Sequence, residues 1–439
     1  MSLSLEQLRK QAKDLRRDRS LKLSEAQLLI ARRYGFGSWP RLRAYVDRVT
    51  TTGPSLQHAF SDDPSYYADR AGGLLASATD GTPDTVAAFE RWAAPLTPAG
   101  ARLVVARNHG FTSWTALRRH LTGLAAEPFA RAFQALRHQD LDALRELLTR
   151  FPELVTASGT NGNDLLGLAS ATCDERLVAV LLDAGADVAH RNAHGWTALH
   201  QAGYSNLPHM ARLLLSARAP VDVSARGDGG TPLAVALFWG NREVAALLAG
   251  HGVVPRNLRV AAGLNDVALV AELWPSPAAG SHRGFYRPHG GFPAWRPSSS
   301  VTEVRDEAMS WAARSDAVDA ITELHRLGAS LDANVYQGTP LTWAAAQGRL
   351  RAVRRLLELG AAPSAVGTFG GPRHGVGTTA LHHAAEGGHL EVTEALLDAG
   401  ADPTITDELY GGTPASWARH GGHEDARALL LRRGGTERS

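Results

Sequence analysis

The feature that most constrains this chain is an internal repeat that runs through the carboxy-terminal two thirds of the sequence. Two nearly complete copies occupy residues 194–223 and 377–404, and a third copy at 338–364 keeps the same frame. The threonines that open two successive copies, Thr197 and Thr231, are 34 positions apart. Because no repeat of this length buries its apolar face alone, the copies must stack in an array.

Each copy has the pattern of two short antiparallel helices and a turn. A Thr near the start can cap the first helix, and the small residues after it let the two helices approach closely. A Leu-Leu pair in the second helix packs against the next copy, and the Gly that follows can end the helix in the left-handed conformation. Six weaker copies bring the number of repeats to nine, and they lie at 129–148, 164–188, 229–252, 258–274, 307–330 and 412–435.

These copies resemble the ankyrin repeat, whose roughly 33 residues begin with Thr-Pro-Leu-His. The resemblance implies an all-α ankyrin-repeat solenoid over residues 129–274 and 307–439, broken by a segment at 275–306. One interval between opening threonines is 40 residues long, which predicts that one turn carries an insertion at 368–375.

The first 125 residues lack this repeat, but they contain a duplication of their own. Residues 23–46 match residues 96–121 at a constant offset of 75, and both copies contain a Gly-Phe-x-Ser-Trp motif between two helical patterns. We therefore expect a basic helical hairpin at 1–49, a linker at 50–81 and a second hairpin at 82–125.

The amino-terminal hairpins allow two interpretations. Residues 1–50 carry 12 Lys/Arg against 5 Asp/Glu, and the pattern can be read as a helix-turn-helix that presents Arg41 and Arg43 to DNA. Trp39 and Leu42 on the same helix are typical of packing residues instead. The favoured interpretation is a helical cap for the solenoid, and nucleic acid is the least favoured partner.

The segment that breaks the repeat is rich in aromatic and basic side chains. Residues 282–299 are too long and too aromatic for a plain linker, and such loops in compact domains are usually functional. The alternative is that the aromatic side chains fill a gap left by the weak repeat at 258–274. The predicted contacts in this loop are Arg283, Phe285, Tyr286, Arg287, His289, Phe292 and Trp295.

Further binding residues are predicted along the face formed by the first helices and in the turns between repeats. Exposed aromatic residues mark binding patches, and those that follow the small residues of each repeat should face the concave side. An aromatic or histidine side chain also recurs at one helix position in four repeats, where packing between repeats is the alternative. The predicted residues outside the loop are Tyr204, Phe238, Trp239, His374, His383, Asp407 and Tyr410.

The whole chain resembles bacterial, actinobacterial-type ankyrin-repeat proteins that combine the Gly-Phe-x-Ser-Trp hairpins with a solenoid interrupted by such a loop. The resemblance implies this architecture and assigns no catalytic residue. We expect a binding protein that engages a protein partner through its concave groove, the turns between repeats and the inserted loop. The alternative is a small-molecule-binding protein or a cofactor-free enzyme with its site under the 282–299 loop.

Several function classes find no support in the sequence. The zinc-protease, P-loop, dinucleotide and nucleophile-elbow motifs are absent, and the histidines are too scattered to predict a metal site. No cofactor is expected. A single cysteine, Cys173, fits a reducing compartment, and the absence of a signal-peptide pattern and of long apolar runs predicts a cytoplasmic protein without membrane contact.

Overall fold

The structure is a computed structural model that divides into two compact units, Met1–Ala198 and Leu199–Ser439. Its description covers residues 5–19, 21–33, 39–40, 42–43, 46, 64–79, 81, 83–124, 128–159, 162–192, 195–225, 230–277, 300–368 and 376–437.

The described part of the first unit consists of helices, among them one short 3₁₀ helix at Pro152–Val155. Its helices are α1 Leu5–Arg19, α2 Leu23–Arg33, α3 Pro64–Thr79, α4 Pro83–Trp92, α5 Pro98–Asn108, α6 Trp114–Leu124, α7 Pro128–Arg137, α8 Leu141–Arg150, α9 Leu165–Ala171 and α10 Glu175–Asp183.

Matching positions of the amino-terminal duplication have matching burial. Ala31 and Ala106 are fully buried, and so are Leu42 and Leu117 in the following helical segments. Ser113 accepts a hydrogen bond from a backbone N–H in the first turn of α6, as expected of a helix cap. The same apolar core includes Ala130 of α7, so the amino-terminal helices and the first repeat share one core.

Helix α3 lies inside the segment for which the sequence predicted a linker at 50–81, and the linker prediction is wrong there. Tyr67, Ala71 and Ala78 are buried on one side of this helix at helical spacing. Gly72 and Gly73 disfavour a helix in isolation. A side chain added at either residue would meet no other atom, and the helix is stabilised by the packing of its apolar side.

The second unit continues the same pairing of helices. It contains α11 Ala198–Tyr204, α12 Pro208–Ser216, α13 Pro232–Phe238, α14 Arg242–Ala249, α15 Leu258–Gly263, α16 Val267–Leu273, α17 Val301–Arg314, α18 Val318–Arg326, α19 Pro340–Ala346, α20 Leu350–Glu358, α21 Ala380–Glu386, α22 Leu390–Asp398, α23 Pro414–His420 and α24 Glu424–Arg432.

From residue 128 onward, the described helices form nine consecutive pairs, one for each predicted repeat. The threonine caps also form as predicted: Thr231, Thr339 and Thr413 each accept a hydrogen bond from a backbone N–H three residues later. A proline follows each of these threonines at the first helical position, where its missing N–H costs nothing. The first helix of each pair is called the inner helix and the second the outer helix.

The enlarged turn predicted near 368–375 is flanked by two short antiparallel strands. Strand β1, Gly367–Thr368, pairs with strand β2, Val376–Thr378. Residues 369–375 between them, and with them His374, lie outside the described residues.

The fifth repeat is the shortest in the second unit. Its inner helix α15 has 6 residues, all buried, whereas its outer helix α16 has 7 residues, of which only Val270 is buried. The fourth and sixth repeats come close together beside it. A side chain added at Gly240, which has a φ of +69°, would meet the carbonyl oxygen of Arg314 at 2.5 Å. The following helix α17 begins at Val301, five residues before the predicted end of the break at 306.

Candidate binding surface

The structure describes six of the fourteen predicted contact residues. The seven predicted in the 282–299 loop and His374 lie outside the described residues, as does the site that the small-molecule alternative placed under that loop. Of the six, Tyr204, Phe238 and Trp239 form one cluster. Asp407 and Tyr410 lie in one turn.

Tyr204, Phe238 and Trp239 form what we call the aromatic platform. Tyr204 packs edge-on against Trp239 with ring centroids 5.4 Å apart, and Trp239 packs edge-on against Phe238 at 5.2 Å. Tyr204 is 39% exposed and Trp239 is partly exposed, whereas Phe238 is 8% exposed. The rings of Tyr204 and Trp239 can therefore contact a partner, and the buried ring of Phe238 supports them.

A buried aromatic layer lies beneath the platform. Phe238 packs edge-on against Tyr336 at 5.2 Å and against Trp311 at 6.1 Å. Trp311 donates a hydrogen bond from Nε1 to the Tyr336 hydroxyl, 3.0 Å away, and both residues are buried. The polar ends of these rings are thus paired with each other, which fixes their orientation.

Arg314, at the end of α17, lies within this layer. Its guanidinium carbon is 3.5 Å from the ring centre of Trp343 and 4.5 Å from those of Phe238 and Tyr336. Its Nη1 donates to the carbonyl oxygen of Phe238 at 2.6 Å, while Nε and Nη2 have no partner in the part of the chain that the structure describes. Burial lowers the pKa of Arg314 to about 9, and nearby Tyr336 and Glu307 act in the opposite direction. The contacts of Arg314 are therefore aromatic faces and a carbonyl oxygen.

A fully buried ion pair joins the fifth repeat to the sixth. Arg259 on α15 donates from Nη1 to Glu307 on α17 at 2.5 Å, and both side chains are 0% exposed. Asn257 caps α15 and also accepts a hydrogen bond from Nε of Arg259 at 3.5 Å. Such a pair is costly to bury but more costly to break, because one charge would then remain without its partner.

The turn at residues 402–412, which we call the last finger, is held by Asp407. Its carboxylate accepts hydrogen bonds from the backbone N–H groups of Leu409, Tyr410 and Gly412 at 2.6–2.9 Å and from Trp417 Nε1 at 3.0 Å. Burial acts to raise the pKa of Asp407, but these hydrogen bonds outweigh it and lower the pKa below its usual value. Asp407 is 2% exposed, so it positions the finger, whereas Tyr410 is 74% exposed.

His383 is a packing residue in this structure. It is 5% exposed, hydrogen-bonds Thr378 Oγ1 at 3.0 Å and packs edge-on against Trp417 at 5.4 Å. Burial, with a smaller contribution from His382, lowers the pKa of His383 to about 3, so the ring is neutral at pH 7. The equivalent Trp311 and Trp343 are buried as well, which agrees with the packing alternative for this helix position.

Three buried charged residues near this surface were not predicted from the sequence. Arg314 occupies the position of Tyr204, Phe238 and Glu386 in other repeats. Arg259 and Glu307 occupy positions where most other repeats carry His, Thr, Ala or Ser. Charged residues are almost never fully buried unless they are paired, so a charge at a repeat's core position is the signal that could have identified them.

Two other kinds of site find no support in the described part of the chain. No group of His, Cys, Asp and Glu side chains there could hold a metal ion. Among the same residues, every helix is too short or too polar to cross a membrane.

Comparison with protein families identifies the repeat. Ankyrin-repeat family models match residues 132–226 and 166–257 with three copies, and a single-repeat model matches residues 376–408. The chain contains ankyrin repeats. Together with the helix pairs, these matches establish an all-α ankyrin-repeat solenoid.

Several curated proteins are similar to parts of this chain. A probable E3 ubiquitin-protein ligase from Oryza sativa subsp. japonica is 36% identical over 128 residues, which are 29% of this chain and 23% of the relative. Ankyrin repeat domain-containing protein 63 of Mus musculus is 39% identical over 84 residues, or 19% of this chain and 20% of the relative. Cyclin-dependent kinase inhibitor 2A of Monodelphis domestica is 35% identical over 99 residues, which are 23% of this chain and 53% of the relative. The chain thus spans about a fifth to about half of these relatives.

Proposed function

We propose that this chain binds a protein partner through the aromatic platform on the inner-helix side of its second unit. The observation that carries the proposal is the exposed pair Tyr204 and Trp239, held edge to face at 5.4 Å above the buried Phe238. Tyrosine and tryptophan dominate the energetics of protein interfaces, and rings already fixed before binding lose little entropy on contact.

The ankyrin repeats support a protein as the partner, since such arrays present extended binding surfaces. The Monodelphis domestica relative is named as an inhibitor of a kinase, which is itself a protein. No catalytic group is part of the proposal.

The last finger supplies a second contact in this proposal. Tyr410 is the most exposed aromatic residue of the described chain, and Asp407 fixes the backbone that carries it. Tyr410 would contact the partner directly, whereas Asp407 and His383 would act by holding the finger and its helix in place. The seven aromatic and basic residues predicted in the 282–299 loop remain proposed contacts.

We also propose that the duplicated amino-terminal hairpins, which the resemblance linked to bacterial proteins, form a cap. Their core extends to Ala130 in the first repeat, which supports a packing role. The DNA interpretation rests on Arg43, which is exposed, and on Arg41, which lies outside the described residues.

The proposal is tested by placing a photo-crosslinking amino acid at position 204 in cells. A control protein carries it at Glu394, which is exposed on the outer helix α22. A distinct protein adduct should form from position 204 and be absent from position 394. Equal adducts from both positions, or none from position 204, would count against the platform.

The partner captured in this way allows a quantitative test. Trp239→Ala should weaken its binding about tenfold, or about 1.4 kcal/mol, because one exposed ring of the platform is lost. Trp274→Ala is the matched control, since Trp274 is also a partly exposed tryptophan but lies in the fifth repeat away from the platform. If Trp239→Ala binds as tightly as the unaltered chain, the platform is not the binding surface.

A further inference from the structure

A cleft lies on the side of the turns that join inner to outer helices, and residues 263–265 of the fifth repeat line it. The cleft has a volume of about 590 Å³ and is bordered by the third to seventh repeats. This volume is in the range of sites that bind small molecules. It is separate from the platform residues Tyr204 and Trp239, which do not line it.

Three arginine side chains line the cleft, against two carboxylates that are already paired. Asp316 accepts hydrogen bonds from Arg242 at 3.2 Å and from the backbone N–H of Ala352 at 2.9 Å. Glu243 pairs with Arg212, which is not part of the lining, at 3.4 Å. The lining therefore carries an excess of positive charge.

Arg349 and Arg351 make no ion pair with a carboxylate in the described part of the chain. Arg349 donates from Nε to the carbonyl oxygen of Arg314 at 2.9 Å and from Nη2 to that of Gly240 at 2.5 Å, which holds it at the cleft wall. Burial lowers the pKa of Arg349, and the positive charge of Arg242 lowers it further. Arg351 is exposed at the rim. An anion in the cleft would reduce the electrostatic repulsion between the side chains of Arg349 and Arg242.

The amino terminus of the outer helix α14 lies at the same cleft, which its residues Arg242 and Glu243 line. Asn265 in the fifth repeat and Asp316 in the sixth each accept a hydrogen bond from a backbone N–H in the first turn of the next repeat's outer helix, at 2.8 and 2.9 Å. Helix α14 lacks a side-chain cap, because Asn241 instead donates to the carbonyl oxygens of the third repeat. A helix amino terminus without a cap favours a negative charge.

A buried hydroxyl adds an independent sign of a missing ligand. Ser315 lines the cleft, is 4% exposed, and its Oγ has no hydrogen-bond partner in the described residues. Buried polar atoms are nearly always paired, so an unpaired hydroxyl beside arginine side chains points to an acceptor that the protein itself does not supply.

Apolar side chains also line the cleft, among them Leu237, Leu264, Ala245 and Ala246. We propose that the cleft binds a small organic anion, with a carboxylate or phosphate group held by Arg242, Arg349 and Arg351 and an apolar body against Leu237 and Leu264.

Four probes test this site on the full chain by isothermal titration calorimetry: benzoate, phenyl phosphate, inorganic phosphate and benzyl alcohol. Benzoate or phenyl phosphate should bind saturably at one site, and at least fivefold more tightly than inorganic phosphate, which lacks the apolar body. Benzyl alcohol should not bind. The better of the two anions identifies the head group. If neither aromatic anion saturates, or if benzyl alcohol binds as well as they do, the proposal is overturned.

A pair of variants on one helix locates the site. Arg351→Glu should weaken binding of the better anion at least tenfold, because it reverses a charge at the cleft rim. Arg354→Glu makes the same change at an exposed arginine of α20 that does not line the cleft, and it should weaken binding less than twofold. An equal effect of both variants would mean that only the general charge of the surface attracts the anion, which would contradict a built site.

Discussion

The fifth and eighth repeats place different chemistry at the same position of the inner helix. In the eighth repeat, His382 accepts hydrogen bonds from Thr379 and donates from Nε2 to the carbonyl oxygen of Gly412 in the next repeat, 3.2 Å away. In the fifth repeat, Arg259 takes this position and forms a buried ion pair with Glu307 of the next repeat. We call the hydrogen bond of the neutral His382 the neutral joint and the Arg259–Glu307 ion pair the charged joint.

The difference shows how a repeat can shorten and still hold its neighbours. The eighth repeat has inner and outer helices of 7 and 9 residues, whereas those of the fifth have 6 and 7. The outer helix of the fifth repeat buries a single residue, Val270, and its Leu269 and Leu273 pack partly buried against the core. The buried ion pair between the inner helices adds to the connection with the sixth repeat.

The largest expected effect comes from breaking the charged joint. Glu307→Gln removes the charge with little change of shape, and it should lower the free energy of unfolding by about 3–5 kcal/mol, because the buried Arg259 charge then loses the counter-charge that Glu307 supplies. Urea unfolding followed by circular dichroism measures this loss. Glu358→Gln, which alters an exposed ion pair with Arg355, should change the value by less than about 1 kcal/mol. A similar small change for Glu307→Gln would show that the buried pair does not hold the repeats together.

The neutral joint should be sensitive to acid. Burial lowers the pKa of His382 to about 4 and that of His383 to about 3, whereas an unfolded histidine titrates near 6.5. Below pH 6.5 the unfolded chain binds protons that the folded chain does not, so stability is complete above that pH and falls as the pH drops toward 4. Each histidine should cost roughly 2–3 kcal/mol at pH 4.5.

Urea unfolding at pH 7.5 and at pH 4.5 checks this acid sensitivity. The double variant His382→Gln/His383→Gln is expected to lose much of the difference between the two pH values, although it should be less stable at pH 7.5. An unchanged pH difference in that variant would mean that these histidines are not responsible.

The smallest expected effect is at Arg314, whose charge has aromatic faces and a carbonyl oxygen as partners. Arg314→Met removes a charge that is costly to bury and keeps most of the side-chain volume, at the loss of one hydrogen bond to Phe238. The change in the free energy of unfolding should be within about 1 kcal/mol, in contrast to Glu307→Gln. A loss above about 3 kcal/mol would indicate that Arg314 belongs to the charged joint as well.

The repeats were predictable because their signals are local. Thr231 and Thr339 cap helices that begin one residue later, and a cap of this kind needs only the residues beside it. The charged joint was not predictable in the same way, since Arg259 and Glu307 are 48 positions apart. The residues around each charge do not indicate which distant charged residue it will be buried beside.

The candidate site was predictable only in part. The adjacent aromatic residues Phe238 and Trp239 drew attention as a pair, but their different exposure depends on Tyr336 and Arg314 in later repeats. Asp407 was equally ambiguous, because a carboxylate in a polar turn can be solvated or can hold the turn together. Its three backbone hydrogen bonds are a property of the folded finger.

Hydrogen exchange of the full chain, resolved by mass spectrometry or NMR, tests most directly whether the fifth repeat consists of a firmly held inner helix and a loosely held outer one. Backbone amides of α15 should exchange much more slowly than those of α16, because α15 is wholly buried and α16 buries one residue. In the eighth repeat, α21 and α22 should exchange at similar rates, since both bury several residues. If α16 proves as protected as α22, or α15 as unprotected as α16, this account of the fifth repeat is contradicted.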